Sequence, residues 1–220
     1  MLDRIFFARH GETSDNAVHR LSTAPPGPPL NDAGVAQGRR LAELLAGTPL
    51  AALHTTPLTR ALQTAQMVAE GRPGLEVVVD DDLREFSVGE LEGRNYNDVF
   101  EQIDRTWNAW CVEGDLDHRV AEGGETARQV LRRAIPAVHR MAGAYDGGDG
   151  LVVAHSGVLQ LLVPALCENL PHVYGYENWL RNCQLVEVTV RPDGYTCVDW
   201  AGLVPGRSPV DKAAIVLAEL

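Results

Sequence analysis

The sequence predicts an α/β fold: a three-layer sandwich with a mostly parallel central sheet, one antiparallel edge strand, and helices on both faces. Three observations predict it. Short apolar runs of strand length alternate along the chain with segments of helical length and period, the pattern of a mostly parallel sheet. The runs Ile5–Ala8 and Leu151–Ala154 are wholly apolar, a buried-strand signature. Leu185–Val190 and Tyr195–Asp199 alternate around Pro192-Asp193-Gly194, a hairpin that brings an antiparallel strand to one edge.

The elements follow in order. Ile5–Ala8 is the first strand and ends in Arg9-His10-Gly11. Asn31-Asp32-Ala33-Gly34 opens a helix to about Leu45, with Asn31 or Asp32 as N-cap. Leu50–Thr55 is the second strand; Pro57 then stands in the first turn of a helix over Leu58–Ala69. The β-branched run Glu76–Val79 is the third strand. Asn97 to Val112 spaces Phe100, Ile103, Trp107 and Trp110 helically. Thr126–Ala144 is a helix weakened or kinked at Pro136. Leu151–Ala154 turns sharply into a helix over Gly157–Leu166, and Val210–Leu220 has the pattern of a terminal helix.

With 220 residues, 45% of them hydrophobic, the chain suits a single domain over 1–220. No segment is long and apolar enough for a membrane span, and the Ile5–Ala8 patch is too short for a secretory signal core. Cys111, Cys167, Cys183 and Cys197 form neither a C-x-x-C pair nor a zinc-like spacing with histidine, so they are expected as reduced thiols in a cytoplasmic protein. The formal net charge of −11, with no basic stripe, argues against nucleic acid and against anionic membrane as partners. It leaves room for a small anion, because clustered arginines reverse the field inside one cleft.

In open α/β sheets, ligands bind beyond the carboxyl ends of the strands. Arg9 and His10 follow the first strand, Arg60 lies early in the helix after the second, and Asp82, Arg84 and Glu85 follow the third. His155 follows the Leu151–Ala154 strand. Arginine offers a fork of donors matched to phosphate oxygens. A neutral histidine is a nucleophile toward phosphorus, a second, protonated histidine stabilises charge on the transferring group, and a carboxylic acid protonates a departing alkoxide. Phosphoryl transfer needs chiefly positioning and charge stabilisation, which this set supplies.

The local sequences carry a resemblance. Arg9-His10-Gly11-Glu12-Thr13 with Asn16, Thr56-Pro57-Leu58-Thr59-Arg60-Ala61-Leu62-Gln63-Thr64-Ala65, Leu83-Arg84-Glu85, Gly124-Glu125-Thr126 and Val152-Val153-Ala154-His155-Ser156-Gly157 occur in this order. Together they resemble the motifs of the histidine phosphatase superfamily, also called the phosphoglycerate-mutase-like family, over residues 4 to about 190.

The resemblance implies that His10 is the nucleophile, its other ring nitrogen donating to a backbone carbonyl. It implies that Arg9, Arg60 and His155 clamp the phosphoryl group, with Asn16 as a neutral donor. Arg60 sits at a helix start, where its charge opposes the helix dipole and an anion would relieve the conflict. The helix beginning at Ser156-Gly157 is expected to aim backbone N–H groups at the same phosphate. Glu85 is the implied general acid and then base; Asp80, Asp81, Asp82 and Glu90 are its rivals in the same acidic run. Arg20, Leu21, Ser22 and Thr23, just after the first motif, are expected at the substrate, with Pro25–Pro29 bordering the entrance. A helical insertion at about 95–122 is expected to border the active site, and its Trp107 and Trp110 are candidates for lining it or for core. The other histidines, His19, His54, His118, His139 and His172, read as structural or solvated. No cofactor and no metal are implied, and Arg9 and Arg60 would repel a divalent cation.

The expected activity is hydrolysis of a small-molecule phosphomonoester. Phosphoglycerate mutase chemistry is the alternative, but Phe86 to Gly93 is more similar to the phosphatase branch. A non-catalytic binding protein of the same fold would have lost part of the set. A sheet edge and the Val210–Leu220 segment are the surfaces on which a homodimer would form.

Overall fold

The computed structural model of the protein describes residues 1–206 and Ser208; the helix expected at Val210–Leu220 lies outside the described residues. Strand β1 (Arg4–Arg9) is followed by a short helix α1 (Ser14–Ala17) and by α2 (Asp32–Leu44). Then come β2 (Leu50–Thr55), α3 (Thr59–Ala69) and β3 (Val77–Val79). A 3-10 turn over Tyr96–Val99 leads into α4 (Phe100–Asn108), which widens into a π turn over Ala109–Glu113. Helix α5 (Ala127–Gly143), β4 (Asp149–Ala154), α6 (Ser156–Leu166), α7 (Tyr174–Glu177), β5 (Leu185–Arg191) and β6 (Gly194–Trp200) complete the chain.

The six strands are ordered β3-β2-β4-β1-β5-β6. β3, β2, β4 and β1 are parallel, and the β5–β6 hairpin joins through an antiparallel β1–β5 ladder. The period of two along each strand divides the core. Phe6 and Ala8 of β1 and Leu151 and Val153 of β4 face Leu41 of α2 and Ala61, Ala65 and Val68 of α3. Ile5 and Phe7, with Val152 and Ala154, face the opposite layer, where α5 and α6 bring Val130, Leu131, Val138, Val158 and Leu162. The neighbouring strands β1 and β4 therefore feed helices on opposite faces, which opens a crevice beyond their carboxyl ends.

The helix starts follow capping chemistry. Asn31 accepts from the Gly34 N–H, and Thr126 forms a capping box with Gln129. Pro57 differs from expectation: it precedes the Leu58 N-cap, and α3 begins at Thr59. The Thr59 N–H and hydroxyl both reach Pro26 O, which ties the helix start to the proline-rich loop. Helix α5 runs through Pro136 without interruption. The carbonyl deprived of its partner there belongs to Arg132, an exposed residue.

Trp110 is a core residue. It is fully buried, packs on Phe86 and Trp107 with ring centroids 5.4 and 5.5 Å away, and donates its indole N–H to His118 O. Trp110→Ala is expected to cost about 3–5 kcal/mol, read as a drop in the urea midpoint at unchanged m-value. A loss under 1 kcal/mol would contradict the core assignment.

Candidate active site

The four parallel strand ends converge on one cleft. β1 delivers Arg9 and His10, β2 leads to Thr56 and Arg60, and the chain after β3 reaches Glu85. β4 ends at His155, the N-cap of α6. The His10 and His155 rings stand side by side, centroids 5.1 Å apart.

Hydrogen bonds fix the ring states. His10 Nδ1 lies 2.6 Å from Gly11 O, an acceptor only, so Nδ1 carries the proton. His10 Nε2 is then a bare lone pair, and it accepts from Arg60 Nε at 3.0 Å. His155 Nε2 is 2.8 Å from Thr56 Oγ1. That hydroxyl accepts from the Leu58 N–H and can donate its own proton to Nε2; in that tautomer Nδ1 is the protonated nitrogen of His155.

Three buried donors at this cleft have no hydrogen-bond partner among the described residues: Arg9 Nε, Arg60 Nη1 and His155 Nδ1. Their side chains are otherwise well held. Arg9 Nη1 donates to Leu180 O and Arg60 Nη2 to Ser22 O. An unsatisfied buried polar group costs about 1–3 kcal/mol, against a net domain stability of roughly 5–15 kcal/mol. Three such donors, on Arg9, on Arg60 bonded to His10 and on His155 ring-to-ring with it, suit an anion with several oxygens. Gly27, at φ +67°, lets the proline-rich loop lie against Arg60; a Cβ there would stand 2.6 Å from Nη1.

Glu85 is held by α6. Its Oε1 accepts from the Phe86 and Val158 N–H groups and its Oε2 from the Gly157 N–H. This corrects the expectation for Gly157, whose N–H serves the carboxyl group and not a phosphate. Gly157 is required here, because a Cβ would meet Phe86 at 2.3 Å and Glu85 Oε1 at 2.8 Å. Oε1 takes two donors and Oε2 one, so Oε2 retains the position on which a proton can ride. From α5, Arg133 braces the Glu85 loop: it donates to the carbonyls of Asp82, Arg84 and Glu85 and pairs through both carboxylate oxygens with Glu125. Glu125 in turn accepts from the Ser87 N–H. Arg84 and Asp82 point away, to Asp81 and Arg140 respectively.

A cavity of about 490 Å³ opens above this floor. Arg20, Leu21, Ser22, Thr23, Asn16, Ser156 and Trp107 line it, together with His19 on an exposed stretch. Asn16 turns Oδ1 to the Thr13 N–H and to Asn182, which leaves Nδ2 as its donor. His155 is fully buried, its ring beside that of His10. Pro25–Pro29 follows the lining residues Ser22 and Thr23 and packs on the start of α3, where Pro26 O accepts from Thr59. The insertion contributes Tyr96, Ile103 and Trp107.

Sequence reasoning missed Asn182 and Trp179, which also line the cavity. Asn182 donates to His10 O and secures the nucleophile's backbone. The signal was the hairpin: β5 pairs antiparallel with β1, with Leu185 opposite Ala8, so the residues before β5 must lie beside the end of β1. Arg133 was missed because nothing in α5 marks it from its neighbours Arg128, Arg132 and Arg140.

Burial, then Arg60 and Arg9, hold His10 well below its ordinary pKa. Burial, then Arg60, His10 and Arg9, do the same to His155. His155 is therefore a neutral donor here, not the protonated one expected; an arriving anion would favour its charged form. Burial pushes the Glu85 carboxyl up, against the opposing pull of its three N–H donors and Arg60. Burial also pushes Arg60 down to about 10, so it stays charged at neutral pH. Among the described residues no group of three His, Cys, Asp or Glu side chains is arranged to hold a metal ion.

Comparison with known proteins bears on this arrangement. The sequence model of the histidine phosphatase superfamily (branch 1) matches residues 5–202. Adenosylcobalamin/alpha-ribazole phosphatase of Salmonella typhimurium is 32% identical over 163 residues, 74% of this chain and 79% of that one. A protein of Cronobacter sakazakii described as probable phosphoglycerate mutase GpmB is 28% identical over 197 residues, 90% of this chain and 89% of that one. Among solved structures, the alpha-ribazole phosphatase of Shigella flexneri superposes with a TM-score of 0.72 at 25% identity, covering 94% of this chain and 98% of that one. A mycobacterial glucosyl-3-phosphoglycerate phosphatase superposes with a TM-score of 0.78 at 23% identity, covering 91% and 100%, and so shares the fold.

The two depressed histidines set a pH dependence. Below their ordinary value near 6.5 the unfolded chain binds protons that the folded chain refuses, so their contribution to stability is full above that pH and is lost as pH falls below it. Glu85 has the opposite sign, its contribution being lost as pH rises through its raised value. Long-range 1H–15N NMR is expected to show His10 Nε2 unprotonated at every pH from 8 to about 5.5. A protonation midpoint near 6.5 would contradict the electrostatics of the site.

Proposed function

The chain belongs to branch 1 of the histidine phosphatase superfamily, and on that premise we propose that it hydrolyses a small-molecule phosphomonoester through a phosphohistidine on His10. The observation that carries the reading is that Arg9, Arg60 and His155 each hold an unpaired buried donor, Arg60 and His155 in direct contact with a His10 whose Nε2 carries a bare lone pair.

The sequence of events follows from those contacts. The phosphoryl oxygens take the free donors, and Arg60 Nε exchanges its bond to His10 Nε2 for one to the phosphoryl group, which releases the lone pair. Nε2 forms a bond to phosphorus as the ester P–O bond breaks. The proton on Glu85 Oε2 passes to the leaving oxygen and yields the alcohol. Glu85, now a carboxylate, takes a proton from water as that water attacks phosphorus; the N–P bond breaks, inorganic phosphate leaves and Glu85 is protonated again. The charge carried by the transferring group is met by fixed, buried donors.

The opposed pKa shifts support this division of labour. At ordinary values near 6.5 and 4.5, the microstate with His10 neutral and Glu85 protonated would peak at about 1% of molecules. Lowering one and raising the other enlarges that fraction. kcat/KM is therefore expected to persist below pH 6 and to decline toward alkaline pH.

Metal plays no part in these steps, and the four cysteines, all free, suit the reducing cytoplasm. Return of the phosphoryl group to a re-bound substrate is the mutase alternative; interconversion of 3- and 2-phosphoglycerate, followed beside phosphate release, separates the two.

His10→Ala is expected to lower phosphate release from p-nitrophenyl phosphate by at least about 10³-fold, and wild-type activity is expected to survive a chelator. Retained activity in the variant, or loss in the chelator, would refute the mechanism. Arg133→Met is expected to slow ethyl phosphate about tenfold more than p-nitrophenyl phosphate, because only the poorer leaving group needs a well-placed acid. Equal slowing of both would remove Glu85 as the acid.

A further inference from the structure

The cavity is two-sided. Its floor is polar, with the unpaired donors described above. Another part of its lining is apolar and mostly aromatic: Tyr96 from the 3-10 turn, Ile103 and Trp107 one helical turn apart on α4, and Trp179 beyond α7. This chemistry was not needed to place the phosphoryl group, and it bears on what leaves.

The wall is rigid where it meets the core and open where it meets the cavity. Trp107 is buried and stacked on Tyr176, with centroids 6.1 Å apart and planes within 9°. The Tyr176 hydroxyl is itself anchored on Asp104 of α4. Trp179 meets Trp107 at 67° and Tyr96 at 73°, so its contacts with both are edge-to-face and neither ring covers it by stacking. It remains 45% exposed, an unusual fraction for the largest apolar side chain. An edge-to-face cluster with an uncovered ring offers a further ring the geometry aromatic groups prefer.

Charge points the same way. The cations among the described lining residues are Arg9 and Arg60 on the floor and Arg20 on an exposed stretch. Tyr96, Ile103, Trp107 and Trp179 offer no positive charge to a carboxylate on the leaving group. The cavity of about 490 Å³ is also of the size that takes a drug-like molecule.

We propose that the substrate is a phosphomonoester whose leaving group carries a flat, largely apolar ring, and that Tyr96, Trp107 and Trp179 form the subsite for that ring. The inference rests on the phosphatase reading but is separable from it by experiment. Benzyl and ethyl phosphate release alcohols of similar acidity, so their difference reports binding and not leaving-group chemistry. Wild type is expected to favour benzyl phosphate at least about tenfold in kcat/KM. Trp179→Ala is expected to erase most of that ratio, and Trp179→Phe, which keeps a ring, to restore most of it. Binding of benzylphosphonate and ethylphosphonate, which are not hydrolysed, is expected to show the same preference and the same response. Turnover of both esters without preference, or a ratio that Trp179→Ala leaves unchanged, would overturn the ring subsite and leave the phosphatase reading standing. Preferential binding of benzylphosphonate with no turnover of either ester would do the reverse.

Discussion

The constraint on which the rest of the structure depends is the burial of positive donors without enough acceptors. Arg9, Arg60 and His155 are driven into the crevice between β1 and β4, and each keeps one donor atom unpaired. Each group is held through another atom: Leu180 O takes Arg9 Nη1, Ser22 O takes Arg60 Nη2, and Thr56 Oγ1 meets His155 Nε2. The same crowding strips the proton from His10 Nε2, since burial and two guanidinium groups oppose a charged imidazole. In the proposed mechanism, anion affinity and nucleophilicity thus have one source.

The acid is made by a different device. Glu85 lies at the N-terminus of α6, whose first N–H groups would suit an anion, yet those groups are spent on the carboxyl itself. The helix therefore fixes the Glu85 carboxyl group, and the proposed phosphoryl contacts fall to the arginines. Arg133 and Glu125 extend that positioning to the second layer, where one guanidinium ties the carbonyls on both sides of Arg84 to α5. Burial still prevails over the donors and keeps the carboxyl raised. Two groups, each displaced from its ordinary titration range in opposite directions, give the proton traffic a direction at neutral pH.

Much of this was legible in the sequence, for identifiable reasons. Strands buried on both faces write themselves as uninterrupted apolar runs, so Ile5–Ala8 of β1 and Leu151–Ala154 of β4 stand out. Residues that follow such runs fall at strand ends by construction, which located Arg9, His10, Arg60 and His155. The failures are of another kind. That the Gly157 N–H serves Glu85, or that Trp110 turns into the core while Trp107 reaches the cavity, depends on contacts between segments more than 70 and about 20 residues apart in the chain, or on a single π turn. Asn182 and Trp179 belong to an irregular stretch with no periodicity to read, and their place is set by the pairing of β5 with β1. His155 was expected charged because its chemistry suggests a cation; only its burial beside Arg60 makes it neutral.

The central claim is that His10 Nε2 becomes covalently phosphorylated in a pocket of pre-aimed donors. Rapid-quench analysis of Glu85→Gln with p-nitrophenyl phosphate tests it most directly. This ester leaves without an acid's help, while the water step has lost its base. A burst of one equivalent of p-nitrophenol is expected, with an acid-labile, base-stable phosphoryl adduct that maps to His10. A burst whose adduct lies on another residue, or steady turnover by Glu85→Gln at the wild-type rate with no burst, would contradict it.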